Sequence, residues 1–286
     1  MVVLSFVCAF ILSLLASALQ VPQEEAKELD RSKEMLVAAR IYNNPKNCFQ
    51  TQMSGTFVPA VYAGNGALTP QPPGEIPIHP TKSEIMQVVA ARLRPFLVDN
   101  QGNRHSFEEA HIALDTYIAQ NKKNGYADLP LKLIYELLSN PVPGTPQSVE
   151  GYVIPVSGFG LWDYIYGYIA LAPDGNTVIG ISWYEQKETP GLGANIAEAP
   201  WQSLFYGKKI FQADSSGKTD FKTAPIGIIV VRGKVVQILD HSPKAKSAVD
   251  GMAGATLTGN GVTKAYKDTL TPYRPFFIKL HAERKD

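Results

Sequence analysis

The sequence predicts an α+β fold: one N-terminal transmembrane helix, then an exported domain built on an antiparallel sheet with flanking helices. Three observations carry this. Val2 to Leu19 holds no charged residue and three serines. From Gly151 onward, short runs rich in Val, Ile, Tyr and Trp are separated by turn signals. Helical spacing then returns from Leu257 to Leu270. Strands joined by tight turns, with helices beside them, favour an antiparallel sheet over a parallel one.

Taken in order, the apolar run would span about 27 Å as a helix, close to the ~30 Å hydrocarbon core of a bilayer. Ala16-Ser17-Ala18 also fits a signal-peptide cleavage site. However, no basic residue precedes the run, and it is longer than the usual signal-peptide core. We therefore expect an anchor over residues 1–21, inserted in the bilayer through residues 2–19. Gln23 to Ile41 carries five acids and four bases, without a dense basic cluster, which favours the outer side for the rest of the chain.

Glu24 to Ile41 has amphipathic spacing and ends at Asn43-Asn44-Pro45. Phe49 to His79, rich in Pro and Gly, predicts a loop or short strands. Helices are expected over Ser83–Leu93 (capped by Ser83, stopped at Pro95), Ser106–Lys122 and Leu131–Leu138. Residues 22–146 thus read as a mainly helical or irregular region packing on a second domain, 147–286. In that domain Tyr152–Val156 is a strand. Tyr164–Leu171 and Thr177–Glu185 form a hairpin about Pro173-Asp174-Gly175-Asn176, and Ile226–Val231 and Lys234–Leu239 form a second about Arg232-Gly233.

Composition narrows the chemistry. The chain has 286 residues and is 45% hydrophobic, enough for a real core. Net charge is +1, which argues against a nucleic-acid binder. Two cysteines, Cys8 and Cys48, cannot supply an all-cysteine metal cluster or a disulfide scaffold. The five histidines are scattered, so no metal site is expected. The remaining chemistry must come from ordinary side chains or an organic cofactor.

Several motifs fail. Gly158-Phe159-Gly160 follows a strand, but Asp163 stands where a dinucleotide fingerprint needs glycine. Gly217-Lys218-Thr219 lacks the first glycine of a phosphate loop, Gln212 standing in its place. Ser215 to Lys218 fits S-x-x-K, without a convincing partner motif. Two segments remain. Glu188-Thr189-Pro190-Gly191-Leu192-Gly193 makes a tight loop with exposed amides, either an ordinary turn or a ligand loop. Asp250 to Thr258 surrounds Thr256 with small residues at the start of a helix, where donors and the helix dipole favour a phosphate. The alternative is that Thr256 or Thr258 merely caps that helix.

Ser157 to Trp162, Glu188 to Gly193 and Asp250 to Thr256, in that order, resemble the FMN-binding domain of the C subunit of the Na+-translocating NADH:quinone reductases. The related G subunit of electron-transport complexes shares this domain. The anchor and the long segment before the domain are also similar to the C subunit. One departure is Ala253, where the family has a small hydroxyl residue three before the threonine.

The resemblance implies covalent FMN, joined by a phosphoester bond to Thr256 and placed there by a flavin transferase acting on FAD. It implies an electron-relay subunit of a multi-subunit reductase in the bacterial inner membrane, with the bulk of the chain on the periplasmic side. It also implies electron transport from NADH to quinone coupled to Na+ transport, with no acid–base active site in this chain. Gly254 and Ala255 would give clearance, and Thr189, Gly191, Leu192 and Gly193 would form the loop against the flavin. Trp162 is a wall or stacking partner, or alternatively a core Trp. Glu188 is a ligand contact or a loop anchor. Lys208 and Lys209 would lie near the phosphate or at a solvated strand end. Other readings are a flavoprotein like the G subunit, a secreted S-x-x-K hydrolase using Ser215 and Lys218, and a non-catalytic anchored scaffold.

Overall fold

A computed structural model describes residues 2–283. Helix α1 (Val2–Ala38) joins the apolar run and the amphipathic segment into one element with Pro22 inside. Among the described residues, no single helix is long and apolar enough to cross a membrane. Ser5–Gln20 and Pro22–Ala38, bent by 49° at their junction, meet the length and composition of a span only together. The bend falls beside Pro22, which removes a helical amide.

After α1 comes a four-stranded meander of β1 (Tyr42–Asn43), β2 (Cys48–Met53), β3 (Thr56–Gly64) and β4 (Ala67–Pro70), in that order. Helix α2 (Lys82–Arg92) follows. Its cap is Thr81 rather than Ser83: the Thr81 hydroxyl accepts from the Glu84 amide (3.3 Å), and the Glu84 carboxylate accepts from the Thr81 amide (2.7 Å). Pro95 does not stop this helix but lies inside β5 (Leu93–Val98), opposite Tyr135.

The main sheet has six antiparallel strands in the order β10-β9-β8-β7-β5-β6. These are β6 (Arg104–His105), β7 (Lys132–Leu138), β8 (Val149–Phe159), β9 (Tyr164–Leu171) and β10 (Val178–Glu185), together with β5. The hairpin about residues 173–176 forms as expected. Leu131–Leu138, expected as a helix, is strand β7, and every residue of it is buried. Lys132 and Glu136, four residues apart, mimic the polar face of a helix, whereas in the strand both are buried with the apolar residues around them.

Ser106–Lys122 is likewise shorter in its helical part. Ser106 and Glu109 cap a single turn, and only α3 (Leu114–Asn121) is α-helical. The reading of 22–146 as mainly helical is therefore corrected. That region contributes β5, β6 and β7, and the boundary at 146/147 separates neighbouring strands of one sheet.

The sheet buries both faces. On one, Ile154, Val156, Ile165 and Trp183 pack with Val262, Ala265 and Tyr266 of α6 (Thr256–Leu270) and Phe276 and Phe277 of α7 (Arg274–Glu283). On the other, Val153, Tyr168 and Leu133 pack with Met35 and Leu36 of α1 and Ile85 and Val88 of α2. Ser182 of β10 donates to the Glu34 carbonyl of α1 at 2.9 Å. Ile134 is fully buried on the α6 face. Truncating it to alanine is expected to cost about 2–5 kcal/mol by urea unfolding, from lost burial and the cavity left behind.

Between β10 and α6 lie the short helix α4 (Ala199–Gln202), strand β11 (Ile229–Val230), helix α5 (Val235–Ile238) and strand β12 (Ala248–Val249). The second hairpin is absent. β11 pairs in parallel with β12, and Lys234–Leu239 holds α5 instead of a strand. The cause is Asp250, whose carboxylate accepts the Val235 amide (2.8 Å) and pairs with Lys234 (3.0 Å), fixing the first turn of α5.

Candidate functional site

Three segments converge at the N-terminus of α6. Glu188 joins them. Its carboxylate is 4% exposed and accepts the amides of Leu161 (2.9 Å) and Trp162 (3.1 Å) and the hydroxyl of Thr258. One side chain thus ties the turn after β8, the loop after β10 and the first turn of α6. The structure makes Glu188 the loop anchor of the two expected roles. Space around it is fully used: a Cβ on Gly160 would sit 2.5 Å from the Glu188 carboxylate. On Gly193 it would sit 2.4 Å from the Thr258 hydroxyl. Gly193→Ala is therefore expected to destabilise the fold by about 1–3 kcal/mol in denaturant titrations.

The loop from Thr189 to Gly193 is closed by the Thr189 carbonyl, which accepts the amides of Leu192 and Ala194 (both 3.1 Å). Gly191 lies at φ +74°, a conformation that other residues adopt at a cost. Trp162 is not a core residue: it is 64% exposed, and its indole N–H donates to the Thr189 hydroxyl at 3.1 Å. Leu192 is 41% exposed and reaches towards Gly254, where an added Cβ would lie 2.9 Å from its Cδ2. Trp162, Leu192 and Leu257 are exposed, as are Phe159 and Tyr164 at the facing ends of β8 and β9.

Thr256 is the first residue of the 15-residue helix α6. The residue before it, Ala255, is buried and provides no side-chain cap. Neither threonine caps the helix. Thr258 is 1% exposed and donates to Glu188. Thr256 is exposed, and its hydroxyl has no hydrogen-bond partner among the described residues. The first-turn amides and the positive end of the helix dipole therefore face an open hydroxyl.

Beside Thr256 is a cavity of about 370 Å³. Gly251 to Thr256, with Gly259 and Asn260 of α6, and Val230 to Lys234, with Gln237, line it. Arg232 is exposed in this wall with no ion pair or hydrogen bond among the described residues. Lys234 is paired with Asp250. Burial would raise the Asp250 pKa, but the Val235 amide and Lys234 hold it below the usual carboxylate range.

The expected residues divide in this geometry. Gly254, Ala255 and Thr256 line the cavity, whereas Trp162, Thr189, Gly191, Leu192 and Gly193 form the adjacent loop face. Lys208 and Lys209 are outside the cavity lining: Lys208 donates to the Ala245 carbonyl (3.1 Å) with its charge felt by Asp250, and Lys209 lies 3.6 Å from Asp174. Ser215 and Lys218 sit on an exposed turn, where Asp214 accepts the amides of Ser216 and Lys218. Arg232, Gln237 and Asn260 escaped the sequence reading. Arg232-Gly233 reads in the sequence as a hairpin turn, whereas in the structure, without that hairpin, it lines the cavity beside Thr256.

Comparison with known proteins places the chain in a family. Residues 160–271 match the FMN-binding domain family. The C subunit of the Na(+)-translocating NADH-quinone reductase of Chlamydia muridarum is 41% identical over 98% of this chain and 91% of its own length. The corresponding protein of Pasteurella multocida is 28% identical over 98% and 92%. Among solved structures, the C subunit from Parabacteroides distasonis shares the fold, with TM-score 0.54 at 23% identity, covering 91% of this chain and 96% of that one. Shewanella oneidensis NqrC gives TM-score 0.51 at 27% identity, over 71% and 90%. On the full-length relation to the chlamydial protein, the chain belongs to the family of Na(+)-translocating NADH-quinone reductase C subunits.

Proposed function

We propose that this chain is an electron-carrier subunit of a Na+-translocating NADH:quinone reductase and holds FMN covalently on Thr256 through a phosphoester bond. The observation that carries the reading is the exposed Thr256 hydroxyl at a helix N-terminus without a side-chain cap, beside a cavity lined by Arg232, neither group having a hydrogen bond or ion pair among the described residues.

The residues fit such a group. The α6 amides and Arg232 suit a phosphate. Small residues at 253–255 leave the hydroxyl accessible, and the exposed Trp162, Leu192 and Leu257 offer apolar surface for a flat ring. Glu188 holds that surface in register with α6, so that attachment point and ring surface are set by one buried carboxylate. When bound, FMN supplies the redox chemistry, and the chain supplies tethering, orientation and tuning.

Its partners are the other subunits of the complex, a flavin transferase that loads Thr256, and the bilayer through residues 2–19. The bulk of the chain lies on the periplasmic side of the inner membrane. Similarity along almost the whole length of the C-subunit relatives favours that identity over a protein like the G subunit.

The direct test is co-expression with the flavin transferase, followed by ultraviolet fluorescence of the band on a denaturing gel. A fluorescent band is expected, and a dark band from fully expressed protein contradicts the reading. Arg232→Glu is expected to lower flavin loading at least several-fold, because the phosphate would meet a carboxylate. Equal loading would remove Arg232 from the site. Protease access in sealed vesicles tests topology: protection of the domain on the cytoplasmic side contradicts a periplasmic placement.

A further inference from the structure

A second cavity, of about 330 Å³, lies away from Thr256, between α1, α3 and the strands β7 to β10. Met35, Tyr126, Tyr135 and Tyr168 in its lining belong to the core on the α1 face of the sheet, whereas α6 packs on the opposite face. Flavin attachment at Thr256 does not use it.

Tyr126, Tyr135, Tyr166, Tyr168 and Tyr184 line this cavity, and Arg31 projects from α1 among them. Tyr168 and Tyr184 stack at 5.3 Å with their planes 23° apart, giving a flat wall. Arg31 is half-buried and has no hydrogen bond or ion pair among the described residues. Such a charge is a poor element of a structural core. With no ion pair among the described residues and apolar ring faces beside it, it favours a ligand that brings a negative charge.

The hydroxyls carry no charge that would oppose this, and each can donate to a carboxylate. Burial pushes Tyr126 up to about 12 and raises Tyr135, Tyr168 and Tyr184 further, although the positive charge of Arg31 acts on all four in the opposite sense. All four are therefore neutral donors at physiological pH. A cage of phenol rings alone would suit a cation resting on the ring faces. Arg31 in the cage reverses that preference. Glu28 and Asp115, also in the lining, are exposed and remain solvated.

We propose that this cavity binds a small planar aromatic acid, its ring against the tyrosine wall and its carboxylate on Arg31. The volume falls in the range of small-molecule sites, and the lining combines apolar faces with a few convergent donors.

The test is calorimetric titration of the full chain in lipid nanodiscs with benzoate, 4-hydroxybenzoate and 1-naphthoate. Phenyltrimethylammonium and cyclohexanecarboxylate serve as comparison probes. At least one aromatic acid is expected to bind at about 1 mM or tighter, and to bind more tightly than either comparison probe. Arg31→Gln should weaken it by about tenfold or more, with Arg31→Lys intermediate, since hydrogen bonds to a charged group carry that scale of energy. Tyr184→Phe, which keeps the ring and removes only the hydroxyl, should weaken it by a smaller factor, and serves if Arg31→Gln fails to fold. The proposal is overturned if none of the three acids binds, if the ammonium probe or the saturated acid binds as well as the best of them, or if folded Arg31→Gln binds unchanged. None of these outcomes depends on flavin at Thr256, so the two readings fail independently.

Discussion

Thr256→Ala is expected to abolish covalent flavin completely while leaving the fold intact. The side chain is exposed, makes no hydrogen bond among the described residues and caps nothing. Its truncation should therefore change stability by no more than about 0.5 kcal/mol. The neighbouring hydroxyl offers no substitute, because Thr258 is buried and donates to Glu188. After co-expression with the flavin transferase, the wild-type band should fluoresce and the Thr256→Ala band should be dark, with equal melting temperatures. Flavin mass retained in the alanine variant would move the attachment elsewhere.

Glu188→Ala is expected to be the most damaging substitution at the site for stability. It leaves the part-buried Leu161 and Trp162 amides and the buried Thr258 hydroxyl without their acceptor. At about 1 kcal/mol or more for each orphaned donor, the loss is about 3 kcal/mol. That corresponds to a fall of roughly 6 to 12 °C in melting temperature for a chain of this size. Flavin loading should fall with it, since the loop and the start of α6 lose their common anchor.

Glu188→Gln separates geometry from charge. One amide oxygen can still accept from Leu161 and Trp162, and the Thr258 hydroxyl can turn to accept from the amide nitrogen. This variant should recover most of the melting temperature and of the loading. A Glu188→Ala protein as stable as wild type would refute the anchor role.

Much of this fold is legible in the residues, and the exceptions share a cause. β9 is read at its observed bounds, because Pro173-Asp174-Gly175-Asn176 is a local signal and the flanking runs are rich in strand formers. α6 is found because one face of it is apolar and the other wet. β7 is missed because its character comes from its neighbours: β5 and β8 cover its edges, while α1-side and α6-side residues cover its faces. Nothing local to Lys132–Leu138 encodes that. The second hairpin is missed for a related reason. Asp250, 15 residues from Val235 in sequence, captures the Val235 amide and turns the expected strand into α5.

The site follows the same division. Residues 188–193 and 254–256 stand out because glycines and a proline are informative wherever they fall. Their convergence depends on the buried Glu188 carboxylate, whose partners are 26, 27 and 70 residues away in sequence. Arg232 enters the site only through the parallel pairing of β11 with β12, which brings residues 230–234 beside 251–256. That pairing joins two-residue strands, too short to leave a pattern in the sequence.

Tandem mass spectrometry of the fluorescent tryptic peptide from flavin-loaded protein decides whether FMN is bonded to Thr256. Cleavage after Lys246 and Lys264 releases Ser247 to Lys264, which contains both Thr256 and Thr258. This peptide is expected to carry the mass of FMN less one water, with fragment ions placing it on Thr256. The same added mass on Thr258, on another peptide, or on none would contradict it.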